Sequence, residues 1–139
     1  MNKIMRTSAV ALAGASLFTL ATPFVAGASA VKSGTYIYNC SIRTQRPKEI
    51  VLTCADANTY VNKISWSNWS SNSAHAKGTF HWNTCTPNCA AGTTKSKAIT
   101  FTASDRRKVK GVWLYTELKA AKNTWHTGSA IWTLPTSPL

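Results

Sequence analysis

The chain has 139 residues, with 16 Lys and Arg against 4 Asp and Glu, and a formal net charge of +12. That length fits one small domain and excludes two. The charge points to an anionic partner, and four carboxylates with three histidines leave few groups for acid–base chemistry. A chain that is 44% hydrophobic with six tryptophans is not a disordered polybasic tail.

Lys3 and Arg6 precede an apolar run, Ala9 to Leu20, then Pro23 and an Ala28-Ser29-Ala30 cleavage pattern. This order predicts a secretory signal peptide over residues 1–30. The run is too short to span a bilayer, which takes ~20 apolar residues. Removing Lys3 and Arg6 leaves 14 basic residues against four acidic ones in 31–139, a net +10. The expectation is a secreted, extracellular product with a single β domain over 31–139.

Four cysteines in a small exported chain predict two disulfides. Three pairings exist, and Cys40–Cys54 with Cys85–Cys89 is favoured. The second pair encloses only Thr86-Pro87-Asn88, a turn-forming triplet. The first joins two β-like stretches, Tyr36–Ile42 and Glu49–Cys54. A competing metal pattern, His81-x3-Cys85-x3-Cys89, lacks the second ligand pair of a zinc site. No metal and no cofactor is expected.

Short alternating segments then recur. Ile64 and Trp66 share a parity, as do Phe80 and Trp82 after a small-residue stretch, and Ile99 and Phe101. Lys108–Leu118 is a long β-like stretch with Gly111 as a bulge. Within it Val112, Leu114, Thr116 and Leu118 share one face, and Trp113, Tyr115, Glu117 and Lys119 the other. Apolar groups on both faces mean either a strand covered on both sides or a binding surface at Trp113 and Tyr115. Glu117–Lys122 has the composition for a helical turn or two. Trp125–Leu134 reads as the last strand, and Pro135–Leu139 as a frayed tail. About seven strands predict an all-β fold, a small antiparallel sandwich or barrel.

Three stretches occur in order: Leu52-Thr-Cys54-Ala-Asp56-Ala-Asn58, Ile64-Ser-Trp66-Ser-Asn-Trp69 and Asn83-Thr-Cys85-Thr-Pro-Asn-Cys89-Ala-Ala-Gly92. Together they resemble a largely uncharacterised group of small exported proteins of actinobacteria. The resemblance covers roughly Arg46–Thr102 and implies export, disulfides and a shared fold. It brings no catalytic residues, and Asp105–Thr127 is more basic than the group.

Enzyme constellations are sparse. Glu49, Asp56, Asp105 and Glu117 are the carboxylates, and Asp105 precedes Arg106-Arg107 as solvated charges often do. There is no Gly-x-Ser-x-Gly elbow, P-loop or His-Glu-x-x-His. An enzyme is not expected. Asp56-Ala-Asn58 reads as an Asx turn in preference to a calcium ligand pair.

The basic residues cluster at Arg43/Arg46/Lys48, Lys95/Lys97, Arg106/Arg107/Lys108/Lys110 and Lys119/Lys122. So few acids make positive patches hard to avoid. Six tryptophans exceed what one small core readily hides, and an indole near cations suits a lipid–water interface or a sugar. Trp113 beside Arg106–Lys110 and Trp125 beside Lys122 are the candidates. The expected anionic-surface site is therefore Arg106, Arg107, Lys108, Lys110, Lys119, Lys122, Trp113 and Trp125. The corresponding function is a secreted cationic antibacterial, bacteriocin-like protein acting on the envelope of competing bacteria. A non-lethal module for wall polymer or anionic glycan is the alternative. The anionic envelope, membrane or wall polymer, is the expected partner, and a specific nucleic acid is not. A cognate immunity protein is compatible with this reading, and the domain is expected to be a monomer.

Overall fold

The computed structural model describes residues 34–139; the predicted signal peptide lies outside the described residues. Eight strands occur in order: β1 (Thr35–Asn39), β2 (Ile42–Thr44), β3 (Ile50–Val51), β4 (Thr59–Ser67), β5 (Ala74–Asn83), β6 (Thr94–Val109), β7 (Val112–Lys119) and β8 (Ile131–Thr133). The fold is all-β, and no helix occurs among the described residues. The strands form one mixed sheet in the order β2-β1-β7-β6-β5-β4-β3, with β8 also on β7. The sheet curls into a half-barrel and does not form a clear closed sandwich. All neighbouring strands are antiparallel except β1 and β7.

The expected long stretch Lys108–Leu118 is two strands. Lys110 and Gly111 have φ of +46° and +83°, and two successive positive φ values make a tight hairpin turn. Gly111 closes the β6–β7 hairpin and is not a bulge. The true β4 irregularity lies between Asn62 and Ser65. There Lys63 adopts a φ of +52°, so Val61 and Ile64, three residues apart, both face the core. Gly78 sits opposite this bulge, where a Cβ would lie 2.9 Å from a Val61 methyl and 3.0 Å from the Asn62 carbonyl oxygen. Only glycine fits that approach.

A second skip explains the two-faced apolar pattern. Ile99, Phe101 and Ala103 of β6 face the core, but Asp105 has a φ of +50°. Leu118 faces the core opposite Ala103, and Tyr115 faces it opposite Arg106. Each strand thus changes parity once while register is kept. Leu114, Tyr115 and Thr116 are buried in succession, so β7 is covered on both sides. The Tyr115 hydroxyl donates to the Ser71 carbonyl at 2.6 Å, and burial pushes the phenol pKa up.

Residues 120–130 are neither helix nor strand. Ala120 N–H donates to the Ala130 carbonyl, and the enclosed loop drives Trp125 into the core. β8 is accordingly short. The C-terminal segment is docked, not frayed. Leu134 is buried and donates its N–H to the Thr116 carbonyl at 2.8 Å, and the Ser41 hydroxyl donates to the Leu139 carbonyl at 2.7 Å. Thr136, Ser137 and Pro138 line a cavity of about 210 Å³ together with Tyr38, Arg43, Lys110 and Leu114.

Both disulfides form as expected, Cys40–Cys54 and Cys85–Cys89. On the chain-entropy account the longer loop contributes ~3 kcal/mol and the shorter ~2 kcal/mol. Two disulfides fit an extracellular protein, and no described helix is long and apolar enough to cross a membrane.

Candidate functional site

The tryptophans belong mainly to the inside of the half-barrel. An unbroken chain of aromatic contacts runs from Tyr115 through Trp69, Trp66 and Phe101 to Trp125, and on to Phe80 and Trp132. A buried indole needs a partner for its N–H. Trp66 donates to the Pro47 carbonyl at 2.8 Å, Trp69 to Thr35 at 3.0 Å and Trp125 to Ala130 at 3.2 Å. Trp125 is 1% exposed. It is a core residue, and its place in the expected surface site is withdrawn. The signal that misled was proximity to Lys122 in sequence; the loop points the indole inward and leaves the lysine outside.

Trp113 is half-buried, with the Arg106 guanidinium 4.2 Å from its ring centroid. The Arg106 Nε donates to Thr35 Oγ1 at 2.8 Å. Arg106 is thereby fixed, and the indole face is already occupied by a cation. Arg107 is exposed and paired with Asp105, which also accepts from the Thr116 hydroxyl. Lys108 and Lys110 are exposed at the hairpin tip, and Lys122 is exposed in the following loop. Lys119 is exposed and pairs with Glu117 at 3.3 Å. None of the six tryptophans is among the exposed residues; the exposed large apolar residues are Ile42, Ile131 and Leu139.

A third basic region lies where the end of β5 meets the start of β6. Trp82 and the exposed His126 stack with centroids 4.2 Å apart, and Lys97 lies 5.8 Å from the Trp82 centroid. Desolvation, aided by Lys97, lowers the His126 pKa. In the turn before β4, next to the same end of β5, the Asp56 carboxylate accepts from the Asn58 backbone N–H at 3.1 Å. That hydrogen bond leads the causes that lower its pKa. This is the Asx turn expected from sequence.

A distinct depression lies on the outer face. It is a groove of about 560 Å³ crossing β4, β5, β6 and the end of β7. Trp66, Ala76 and Phe101 face the core from this row, so their sequence neighbours face outward. Ser67, His75, Thr102 and Lys119 stand directly opposite one another on four strands. Ser65, Lys77 and Thr100 form the adjacent row. His75 Nδ1 and Thr102 Oγ1 are 3.2 Å apart.

No protein-family model, curated protein or solved structure matches this chain.

What the groove does must therefore follow from its own residues. It presents hydroxyls, one imidazole and two ammonium groups, with Glu117 as the nearby acid through its pair with Lys119. Lys77 and His75 were not singled out by clustering along the chain, because cross-strand neighbours are far apart in sequence. The readable signal was the alternation Ala74-His75-Ala76-Lys77-Gly78-Thr79-Phe80, small or apolar on one face and polar on the other.

Proposed function

We propose that this is an exported binding domain for an anionic polymer of the bacterial envelope, held by charge and hydroxyl contacts. The observation that carries the reading is the imbalance of surface charge. Among the described residues the ion pairs are Arg107–Asp105 and Lys119–Glu117, and they occupy two of the four acidic residues of the chain. Most basic groups are left with solvent, and their summed field attracts polyanions. The tryptophans support polymer over membrane insertion. Trp125 is buried and the other five are at most partly exposed, and Ile42, Ile131 and Leu139 do not replace an indole belt. Export is supported by the signal-like N-terminus and by two disulfides.

An antibacterial role is the stronger form of the same proposal, in which occupying the envelope stops growth of the cell that carries it. The net charge supports attraction to any anionic envelope. Two assays test both forms together. Purified oxidised protein is sedimented with isolated bacterial walls at low and moderate salt, and spotted on lawns of several actinobacteria. Retention on walls that weakens with salt supports binding, and clearing at micromolar protein supports the lethal form. Retention without clearing removes the lethal form alone. No retention at low salt removes the proposal.

A further inference from the structure

We infer that the outer groove is a subsite for phosphodiester-linked acyclic polyols, the repeat chemistry of a polyol-phosphate chain. This rests on the polymer-binding reading and names the ligand class and the place. Two rows define the site: Ser67, His75, Thr102 and Lys119, and beside them Ser65, Lys77 and Thr100. Neighbouring strands lie about 4.8 Å apart and successive outward positions about 6.8 Å apart. The Lys77 and Lys119 backbones, two strands and one row apart, are then separated by roughly 12 Å. Their long side chains flank, from opposite corners, a trough whose walls carry the hydroxyls and whose middle row is Trp66, Ala76 and Phe101.

The donors suit an oxyanion. Lys77 has no ion-pair partner among the described residues. His75 uses Nδ1 toward Thr102, and its Nε2 has no hydrogen-bond partner among the described residues. The Ser65, Ser67, Thr100 and Thr102 hydroxyls donate or accept and so suit a polyol. Glu117 opposes an anion only at the Lys119 end, so Lys77 is the principal cation.

Two features select among anionic ligands. The groove is open and crosses several strands, which suits an extended chain. Its aromatic members turn away: Phe101 is buried, and Trp66 packs edge-on against Phe101 with its N–H held by Pro47. A ring sugar bound by stacking needs a broadly exposed aromatic face, whereas here Phe101 is buried and Trp66 is only partly exposed. An acyclic polyol phosphate needs only hydroxyls and cations.

The test is an amide-shift titration by NMR of the oxidised protein, using a short oligomer of glycerol units joined by phosphodiesters, with glycerol and anionic lipid vesicles as parallel arms. Oligomer shifts are expected at Ser67, His75, Lys77, Thr100, Thr102 and Lys119, with no response to glycerol. Lys77→Ala is expected to weaken the oligomer at least fivefold, and Lys77→Arg to retain most of the affinity. An unchanged spectrum away from the groove confirms that each variant folds. A silent groove, an equal response to glycerol, or groove shifts from vesicles alone overturns the inference. Retention of purified anionic wall polymer is measured on the same samples. If the groove is silent while the polymer is still held, only the subsite fails. If both fail, the polymer-binding reading fails with it.

Discussion

The two faces of β4, β5 and β6 come from the same strands yet have opposite chemistry. Inward positions carry Ile64, Trp66, Ala76, Phe80, Ile99 and Phe101, and outward positions carry Ser65, Ser67, His75, Lys77, Thr100 and Thr102. The inner face is continued by Trp125 and Trp69, which arrive from loops. The difference teaches that the tryptophans and the charges have separate tasks. The indoles fill a half-barrel that a single sheet cannot close by itself. The cations and hydroxyls are left for solvent and ligand.

The largest expected effect breaks this division from the inside. Trp125→Ala should destabilise the domain by about 3–5 kcal/mol through the cavity it leaves, whereas His75→Ala on the outer face should stay within about 0.5 kcal/mol. Denaturant midpoints of the two variants measure the contrast, and equal losses would dissolve it.

The disulfides come next. Replacing Cys40 and Cys54 together by Ala should cost about 3 kcal/mol, and replacing Cys85 and Cys89 about 2 kcal/mol, because the first loop restrains more of the unfolded chain. Thermal unfolding of both double variants checks the order.

A smaller effect is expected where the two chemistries meet. Arg106 lies over Trp113 and also donates to Thr35. A double-mutant cycle between Arg106→Ala and Trp113→Ala should return a coupling of about 0.5–1 kcal/mol. A coupling indistinguishable from zero would mean that Trp113 is available to a ligand after all.

The least effect is a pH dependence from His126. Desolvation and then Lys97 lower its pKa below the ordinary 6.5. The unfolded chain therefore binds more protons near that pH, so stability rises with pH. The contribution is complete above pH 6.5 and is lost as pH falls through the folded-state value. His126→Phe should flatten this part of the stability profile, measured by urea unfolding across pH 4.5–7.5.

How much of this was legible in the sequence depends on range. Cys85–Cys89 spans one turn, and the Asx turn at Asp56 spans three residues, so local composition reveals both. The inner parity of Phe80–Trp82 and Ile99–Phe101 was visible for the same reason. The hairpin at Lys110-Gly111 was mistaken for a bulge, because a strand-like composition on both sides hides a reversal. The skip at Asp105 was visible as a two-faced pattern in β7, but its cause lies in the neighbouring strand. The groove was invisible to clustering along the chain, since Ser67, His75, Thr102 and Lys119 meet only after four strands pair. The position of Trp125 depends on how a whole loop closes, and neighbouring lysines carry no information about that.

Polyanion binding through surface charge is tested by the salt dependence of binding to purified anionic wall polymer. The affinity of the oxidised protein is measured between 50 and 300 mM salt, conditions over which ~10³-fold changes occur for multi-contact polyanion binding. A steep linear fall of log affinity with log salt, made shallower by Lys77→Ala, is the predicted result. No binding at 50 mM salt, or an affinity indifferent to salt, would contradict the account.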